Sequence, residues 1–320
     1  MLSRVAENLY WLGRYLERAE DTARLIQVSR HVMLDFPGAA VMGWSSLINI
    51  TGSHELFDEH YGKRDEASVL AFLCADRRYG GSIVSALAAA RENLRTTREV
   101  MPREVWEEIN QLYHSVTEQV SRGIAMRRMD GFLKSVIRGC QTVTGMIIGT
   151  LSHTPARTFI GIGCYLERAD MTTRTLDVRS ANLLPRTPGD LTPFENLQWM
   201  GVLKSLSAYQ MYRQQMRHRV RGPDVVAFIL KDHLFPRSIN RCLMDLHRNM
   251  YSLPRNGEAC AVVTALQNRL ESVDAGWLAG SADDLHRFVD DLQVGIGEIH
   301  DVIKSTWFAG VDEPAPVIST

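Results

Sequence analysis

The chain has 320 residues, 45% of them hydrophobic, with 36 Lys and Arg against 37 Asp and Glu for a formal net charge of −1. That is ample apolar material for a core and excludes disorder as the default, while the balanced charge gives no bulk attraction to nucleic acid or to an anionic membrane. The five cysteines, Cys74, Cys140, Cys164, Cys242 and Cys260, include no Cys-x-x-Cys pair; with no signal-peptide layout and no long apolar run, the expectation is a cytoplasmic protein.

Leu2, Val5, Ala6, Leu9, Leu12, Leu16, Ala19, Ala23 and Ile26 recur at intervals of three and four, which is the helical period. The pattern predicts a long first helix from a Ser3 cap to about Leu34, stopped by Pro37-Gly38. A second helix, headed by Trp44, carries His54 and Asp58. Pro102, Pro155, Pro223 and Pro236 stand where later periodic stretches begin, as proline in a first helical turn does. Twelve helical segments result, with no alternating strand, and the sixth, Asp130 to Ser152, runs almost directly into Thr154-Pro155 at the head of the seventh. Pro314 and Pro316 mark a loose tail.

The segments repeat. Gly13-Arg14-Tyr15-Leu16-Glu17-Arg18-Ala19-Glu20-Asp21-Thr22-Ala23-Arg24 aligns with Gly163-Cys164-Tyr165-Leu166-Glu167-Arg168-Ala169-Asp170-Met171-Thr172-Thr173-Arg174 at a constant offset of 150. Further on, Ala71-Phe72-Leu73, Asp76, Ser82-Ile83, Leu87 and Asn93 match Ala227-Phe228-Ile229, Asp232, Ser238-Ile239, Leu243 and Asn249 at an offset of 156. An ordered series of matches with a drifting offset reads as duplication. The expected fold is therefore all-α: two tandem six-helix units, residues 1–150 and 151–310, related by a pseudo-twofold axis and packed as one helical body, with a tail at 311–320.

Both copies keep Tyr, Leu, Glu, Arg, an acid three residues after the Glu, and a second Arg. On a helical wheel Glu17 and Arg24 border the apolar stripe, and Glu7, Arg14, Arg18 and Asp21 form a charged ribbon beside it. Glu20 and Arg24, like Asp170 and Arg174, are spaced for intrahelical ion pairs, worth only about 0.3–0.5 kcal/mol each at a surface. Two readings stay open. The set is a structural network that fixes helix packing, or Glu17, Arg18, Glu167 and Arg168 face each other across a cleft that takes an amino-acid-like, peptide or phosphorylated ligand. Arg14 becomes Cys164 and Asp21 becomes Met171, so the first unit is the better anion site.

Arg91, Arg95 and Arg98 share a helix face near Arg77 and Arg78, either a solvated surface or an anion-binding wall. Ser82 and Ser238 head equivalent helices and read as caps. Cys164 lacks an identified base and reads as a core residue. His54, Glu55, Asp58, Glu59 and His60 form a polar surface without the spacing of a metalloprotease or di-iron site, so no metal is expected. Gly161-Ile162-Gly163 and Gly295-Ile296-Gly297 fall on helices rather than on a phosphate-binding loop, and Trp11, Trp44, Trp106, Trp199 and Tyr15 read as helix-packing residues.

The run Leu9-Tyr10-Trp11-Leu12-Gly13-Arg14-Tyr15-Leu16-Glu17-Arg18-Ala19-Glu20, the run Ala90-Arg91-Glu92-Asn93-Leu94-Arg95 with Trp106-Glu107, and Phe235-Pro236-Arg237-Ser238 resemble the bacterial Alpha-E domain family. The resemblance implies a helical protein encoded beside, or fused to, a circularly permuted ATP-grasp protein, near a transglutaminase-like protein and a proteasome-like peptidase, a setting for peptide synthesis or modification. By match to the motif, the positions to watch are Arg14, Glu17, Arg18, Glu20 and Arg24, then Arg91, Glu92, Asn93 and Arg95, with Glu167, Arg168 and Arg174 as their second-copy counterparts. ATP and Mg are expected in the partner and no cofactor in this chain. The leading expectation is an accessory subunit that binds an ATP-grasp partner or an amino-acid or peptide-like ligand. The alternatives are a stand-alone amide-bond or acyl-transfer enzyme with Glu17 as acid or base, and a purely structural bundle; self-association is compatible with any of them.

Overall fold

Left-handed residues and prolines cut the chain into rods. The computed structural model describes residues 1–35, 44–180, 195–216 and 219–309. Among them the first part of the chain forms α1 (Ser3–Asp35), α2 (Ser45–Ile50), α3 (His54–His60), α4 (Glu66–Ala75), α5 (Ile83–Thr96), α6 (Arg103–Ser121) and α7 (Met129–Thr150). The second forms α8 (Pro155–Ser180), α9 (Glu195–Ser205), α10 (Tyr209–Gln215), α11 (Gly222–Lys231), α12 (Ile239–Tyr251), α13 (Gly257–Ser272), α14 (Ala275–Leu278) and α15 (Ala282–Ile303), the last prolonged by a π-helical turn to Phe308. The described residues contain no strand, as the periodicity predicts.

Among the described residues fifteen helices stand where twelve were expected. The second helix breaks between α2 and α3 at Gly52, whose φ is +62°, and α9 stops before α10 at Ser207, whose φ is +55°. A left-handed residue cannot continue a right-handed helix. The third addition is the single turn α14, held by the Asp274 carboxylate accepting from Gly276 N and Trp277 N. Pro155 and Pro223 lie in first turns and Pro102 caps α6. Pro236 instead stands ahead of α12, whose cap is Ser238. Ser82 and Ser238 do cap their helices, accepting from Ser85 N and Arg241 N. The predicted stop at Pro37-Gly38 and the tail prolines lie outside the described residues.

The two longest helices, α1 and α8, run parallel at the centre. α5 and α7 pack on α1, while α12 and α15 pack on α8. Glycine sets the closeness of the central pair: a Cβ on Gly13 would collide with Ile160 O and stand 3.0 Å from Cys164 N, and one on Gly163 would collide with Tyr10 O and stand 3.2 Å from Arg14 N. These contacts are reciprocal under the offset of 150. Residue 13 meets 160 and 164, and residue 163 meets 10 and 14.

The same exchange recurs outward. Arg24 Nη1 donates to Ser207 Oγ at 2.5 Å in the turn after α9, and Arg174 Nη1 lies against Gly52 in the turn after α2. Gly139 of α7 faces Leu112 of α6, as Gly295 of α15 faces Leu266 of α13. The apolar core does not divide at residue 150. One cluster joins Leu9, Val105 and Ile147 to Trp199, Leu243 and Leu292; the other gathers Ile26, Phe57, Phe72 and Phe132 and takes in Met171.

Candidate functional site

The Tyr-Leu-Glu-Arg runs of α1 and α8 meet on the shared seam. Leu16 and Leu166 turn into the core. Each glutamate crosses to the other helix: Arg18 Nε and Nη2 donate to Glu167 at 2.5 and 3.0 Å, and Arg168 Nε and Nη2 donate to Glu17 at 2.7 and 2.8 Å. Both are forked, two-bond pairs of the kind a planar guanidinium favours. Each tyrosine supports the arginine three residues on, with Arg18 over Tyr15 at 5.5 Å and Arg168 over Tyr165 at 5.7 Å.

Each carboxylate also receives a second guanidinium, by different routes. Arg14 Nε donates to Glu167 Oε2 at 2.7 Å. Its counterpart on α8 is Cys164, whose Sγ donates to Glu17 Oε2 at 3.1 Å. The missing cation comes from the turn before α12, where Arg237 Nη1 lies 2.8 Å from Glu17 and 2.6 Å from Asp21, and Nη2 lies 3.2 Å from Glu20. Arg237 stands at an offset of 156 from Gly81. Glu20 also accepts from Arg24, at 2.6 Å, and from Gln141 Nε2; Asp170 accepts from Arg174 at 2.9 Å. The two intrahelical pairs read from the spacing are thus formed.

The charged ribbon expected along α1 is not a ribbon in solvent. Glu17 is 3% exposed, Glu167 1%, Arg14 9% and Asp21 7%, because α8 and the turn before α12 cover that flank. Burial alone would raise the Glu17 carboxyl, but Arg168 and Arg237 overcome it and hold it below the usual carboxylate range. Glu167 is lowered in the same way, burial being outweighed by Arg14 and Arg18. Asp21 goes the other way: burial, with Glu17 and Glu20 nearby, raises it to about 7 despite Arg237. Burial pushes the Cys164 thiol well up, and the Glu17 carboxylate adds to it, so it is a weak donor and no nucleophile.

At the Arg14 end, Nη1 donates to Tyr10 Oη at 3.1 Å, and Tyr10 Oη meets His300 Nδ1 of α15 at 2.7 Å. Burial raises the Tyr10 phenol to about 12, so it stays a donor, and burial together with Arg14 lowers His300.

The seam gathers Arg14, Glu17, Arg18, Glu20, Arg24, Glu167, Arg168 and Arg174. Arg91, Glu92, Asn93 and Arg95 are placed elsewhere, on the α5–α6 face. Arg91 donates to Asn110 at 2.6 Å and its guanidinium lies over Trp106 and Tyr113. Arg98 lies over Trp106, and Arg95 pairs with Glu92 at 2.6 Å. On α3, Asp58 pairs with Arg64 at 2.6 Å, and among the described residues no group of three His, Cys, Asp or Glu side chains could hold a metal ion. No described helix is long and apolar enough to cross a membrane. Arg237, Asp21, Tyr10 and Cys164 were not singled out as site residues in the sequence. Two departures along the offsets of 150 and 156, Cys164 for Arg14 and Arg237 for Gly81, are the signal that ties Arg237 to the motif.

Fold and seam together define an all-helical protein whose Glu-Arg motif joins its two longest helices. The chain belongs to the Alpha-E family, described as "a predicted alpha-helical domain with a conserved ER motif", whose model matches residues 1–308. It is also similar to uncharacterized proteins of Mycobacterium bovis and Mycobacterium tuberculosis, 24% identical over 332 residues that cover 96% of this chain and 37% of theirs. The chain thus spans little more than a third of the length of these curated relatives. No solved structure matches it.

Proposed function

We propose that this chain is a helical accessory module of an ATP-grasp-associated peptide synthesis or modification system, and that its Glu-Arg motif is the clamp that holds the module in shape. The observation that carries the second half is the saturation of both motif carboxylates. Glu17 and Glu167 are each buried and each held by two guanidiniums. A carboxylate held below its ordinary range is also a poor general base and no general acid near neutrality, which sets the enzyme reading of Glu17 behind the structural one. The first half is supported by family membership and by the matching region being one part of longer relatives. The reciprocal seam further supports taking residues 1–150 and 151–310 as two copies of one ancestral unit.

Removing one partner from a buried ion pair costs about 3–5 kcal/mol. Glu17→Gln is therefore expected to lower the urea midpoint strongly while the protein that remains folded still co-purifies with an ATP-grasp partner. If Glu17→Gln leaves stability intact and abolishes that association, the motif is a binding surface. If the wild-type chain neither associates with that protein nor changes its ATP consumption, the accessory reading is wrong.

A further inference from the structure

A pocket of 240 Å³ opens between α1, α7, α8 and α12, lined by Ile147, Ile160, Gly161 and Tyr165 among others, with Arg157 and Asn249 supplying polar atoms. Ile148, 58% exposed, sits at its rim. The seam shows what shape this space has. Position 161 on α8 corresponds to Trp11 on α1 at the offset of 150. Trp11 stacks on Tyr15 at 5.4 Å, meets His300 edge-on at 5.6 Å, and lies under the Arg14 guanidinium at 5.4 Å. Tyr165 and Arg168 repeat the arrangement of Tyr15 and Arg18, but Gly161 brings no ring to stack on Tyr165. One side of the seam is filled by an indole of the chain itself; on the other the corresponding position carries no side chain, and Tyr165 and Asn249 line the space beside it.

A cavity of about 150 Å³ is enough to bind benzene, so this one has room for a two-ring aromatic. Its polar lining comes from Thr144, Arg157, Cys164, Arg168 and Asn249. Asn249 Nδ2 is committed to Asp245 O at 2.7 Å, while its Oδ1 lies 3.1 Å from where a Cβ on Gly161 would stand, facing the space as an acceptor. The Arg168 guanidinium is committed to Glu17. Arg157 donates through Nη1 to Leu151 O at 3.1 Å and pairs with no carboxylate among the described residues. A slot walled by Ile147, Ile160 and Tyr165, with Asn249 Oδ1 as an acceptor and an Arg157 guanidinium that pairs with no carboxylate among the described residues, fits a flat ring that carries an N–H and an anionic group.

We propose that this pocket binds a small planar aromatic carboxylate of the indole-acid class, with its ring against Tyr165, its N–H toward Asn249 Oδ1 and its carboxylate at Arg157. The proposal is independent of the ATP-grasp reading, since it concerns a space beside the clamp and needs no partner.

The test is titration of the full chain with indole-3-acetate and with neutral indole, followed by calorimetry and ligand-observed NMR. Wild type is expected to bind both, the acid more tightly. Gly161→Trp supplies from the chain the ring that Trp11 supplies on the other side, and is expected to weaken both ligands about tenfold or more. Arg157→Met is expected to remove the preference for the acid and leave neutral indole unchanged. If Gly161→Trp does not fold, Ile148→Trp on the exposed rim closes the same mouth from a position where a larger side chain is tolerated. Absence of wild-type binding of either probe up to about 1 mM, or equal affinity in wild type and a folded pocket-filling variant, overturns the proposal. Retained preference for the acid in Arg157→Met overturns the assignment of the anion to Arg157.

Discussion

Arg237 lies 2.8 Å from Glu17 on the flank of the carboxylate that Cys164 leaves without an arginine. Glu167 has its second guanidinium from Arg14, on the facing helix. Glu17 has it from a turn 220 residues away in sequence. The two carboxylates are electrostatically alike although the cations that make them so arise at non-equivalent positions: Arg14 with Gly81 on one side, Cys164 with Arg237 on the other. A buried carboxylate left with one partner is costly, so loss of arginine at one position is tolerable where it is supplied at the other.

That relationship predicts rescue. Arg237→Gly, which copies Gly81, is expected to destabilise the fold by about 3–5 kcal/mol, since Glu17 and Asp21 lose their shared cation. Adding Cys164→Arg, which copies Arg14, is expected to restore a good part of the loss. In the wild-type background Cys164→Arg is expected to destabilise, by crowding a third guanidinium onto Glu17. Urea unfolding of the four proteins gives the coupling. Simple additivity of the two substitutions would refute the exchange.

The glycines of the seam predict a contrast within one residue type. Gly13→Ala and Gly163→Ala place a methyl on the backbone carbonyl of the facing helix, which a side-chain rotation cannot relieve, so losses at or above about 1–3 kcal/mol are expected. Gly145→Ala on α7 meets nothing within 4 Å and is expected to stabilise by up to about 1 kcal/mol through helix propensity. Thermal melts of the three variants check this; a neutral Gly163→Ala would mean that α1 and α8 are not in close contact.

Local signals carried much of the fold. The period of Leu2 to Ile26 placed α1 to within a residue of its end at Asp35, and the hydroxyls of Ser82 and Ser238 marked two caps that do accept from backbone amides. The intrahelical pairs Glu20–Arg24 and Asp170–Arg174 were legible because both partners lie one turn apart. What a single helical wheel cannot show is a second rod lying on its polar flank, which is why Glu17 reads as a border of the apolar stripe and Asp21 as part of a charged ribbon beside it, while both are buried. The break at Ser207 was equally hidden, since nothing in a serine announces a left-handed φ. Arg237 reached the seam through tertiary folding alone.

Tyr10 and His300 form a separate test at the Arg14 end. With its phenol raised to about 12, Tyr10 stays protonated and shares a 2.7 Å hydrogen bond with His300 Nδ1, an imidazole that burial and Arg14 hold below its ordinary range. Tyr10→Phe removes the hydroxyl and is expected to cost about 1 kcal/mol while leaving the His300 titration below its ordinary value, since burial and Arg14 remain. Proton NMR of the His300 ring across pH 4–8 (about the range in which histidine titrates) measures it, and a titration that returns to the ordinary value in the variant would show that the phenol, rather than burial and Arg14, lowers the imidazole.

Asp21 makes the stability of the seam depend on pH in a direction opposite to that of its neighbours. Burial raises its carboxyl to about 7 in the folded chain, against about 3.9 for an unfolded aspartate. Between those values the folded protein holds a proton that the unfolded chain has released. The stabilisation from Asp21 is therefore complete below about pH 4 and is lost as pH rises through about 7. Glu17 and Glu167, lowered by their arginines, contribute stability that is present above about pH 4.3 and lost in acid. Asp21→Asn fixes the uncharged form. It is expected to remove the decline in urea midpoint between about pH 4 and 7 and to leave the acid limb in place, so that the variant matches wild type near pH 4 and exceeds it at pH 8. Parallel pH profiles for the two proteins between those values would show that Asp21 is ionised against Arg237 in the folded state.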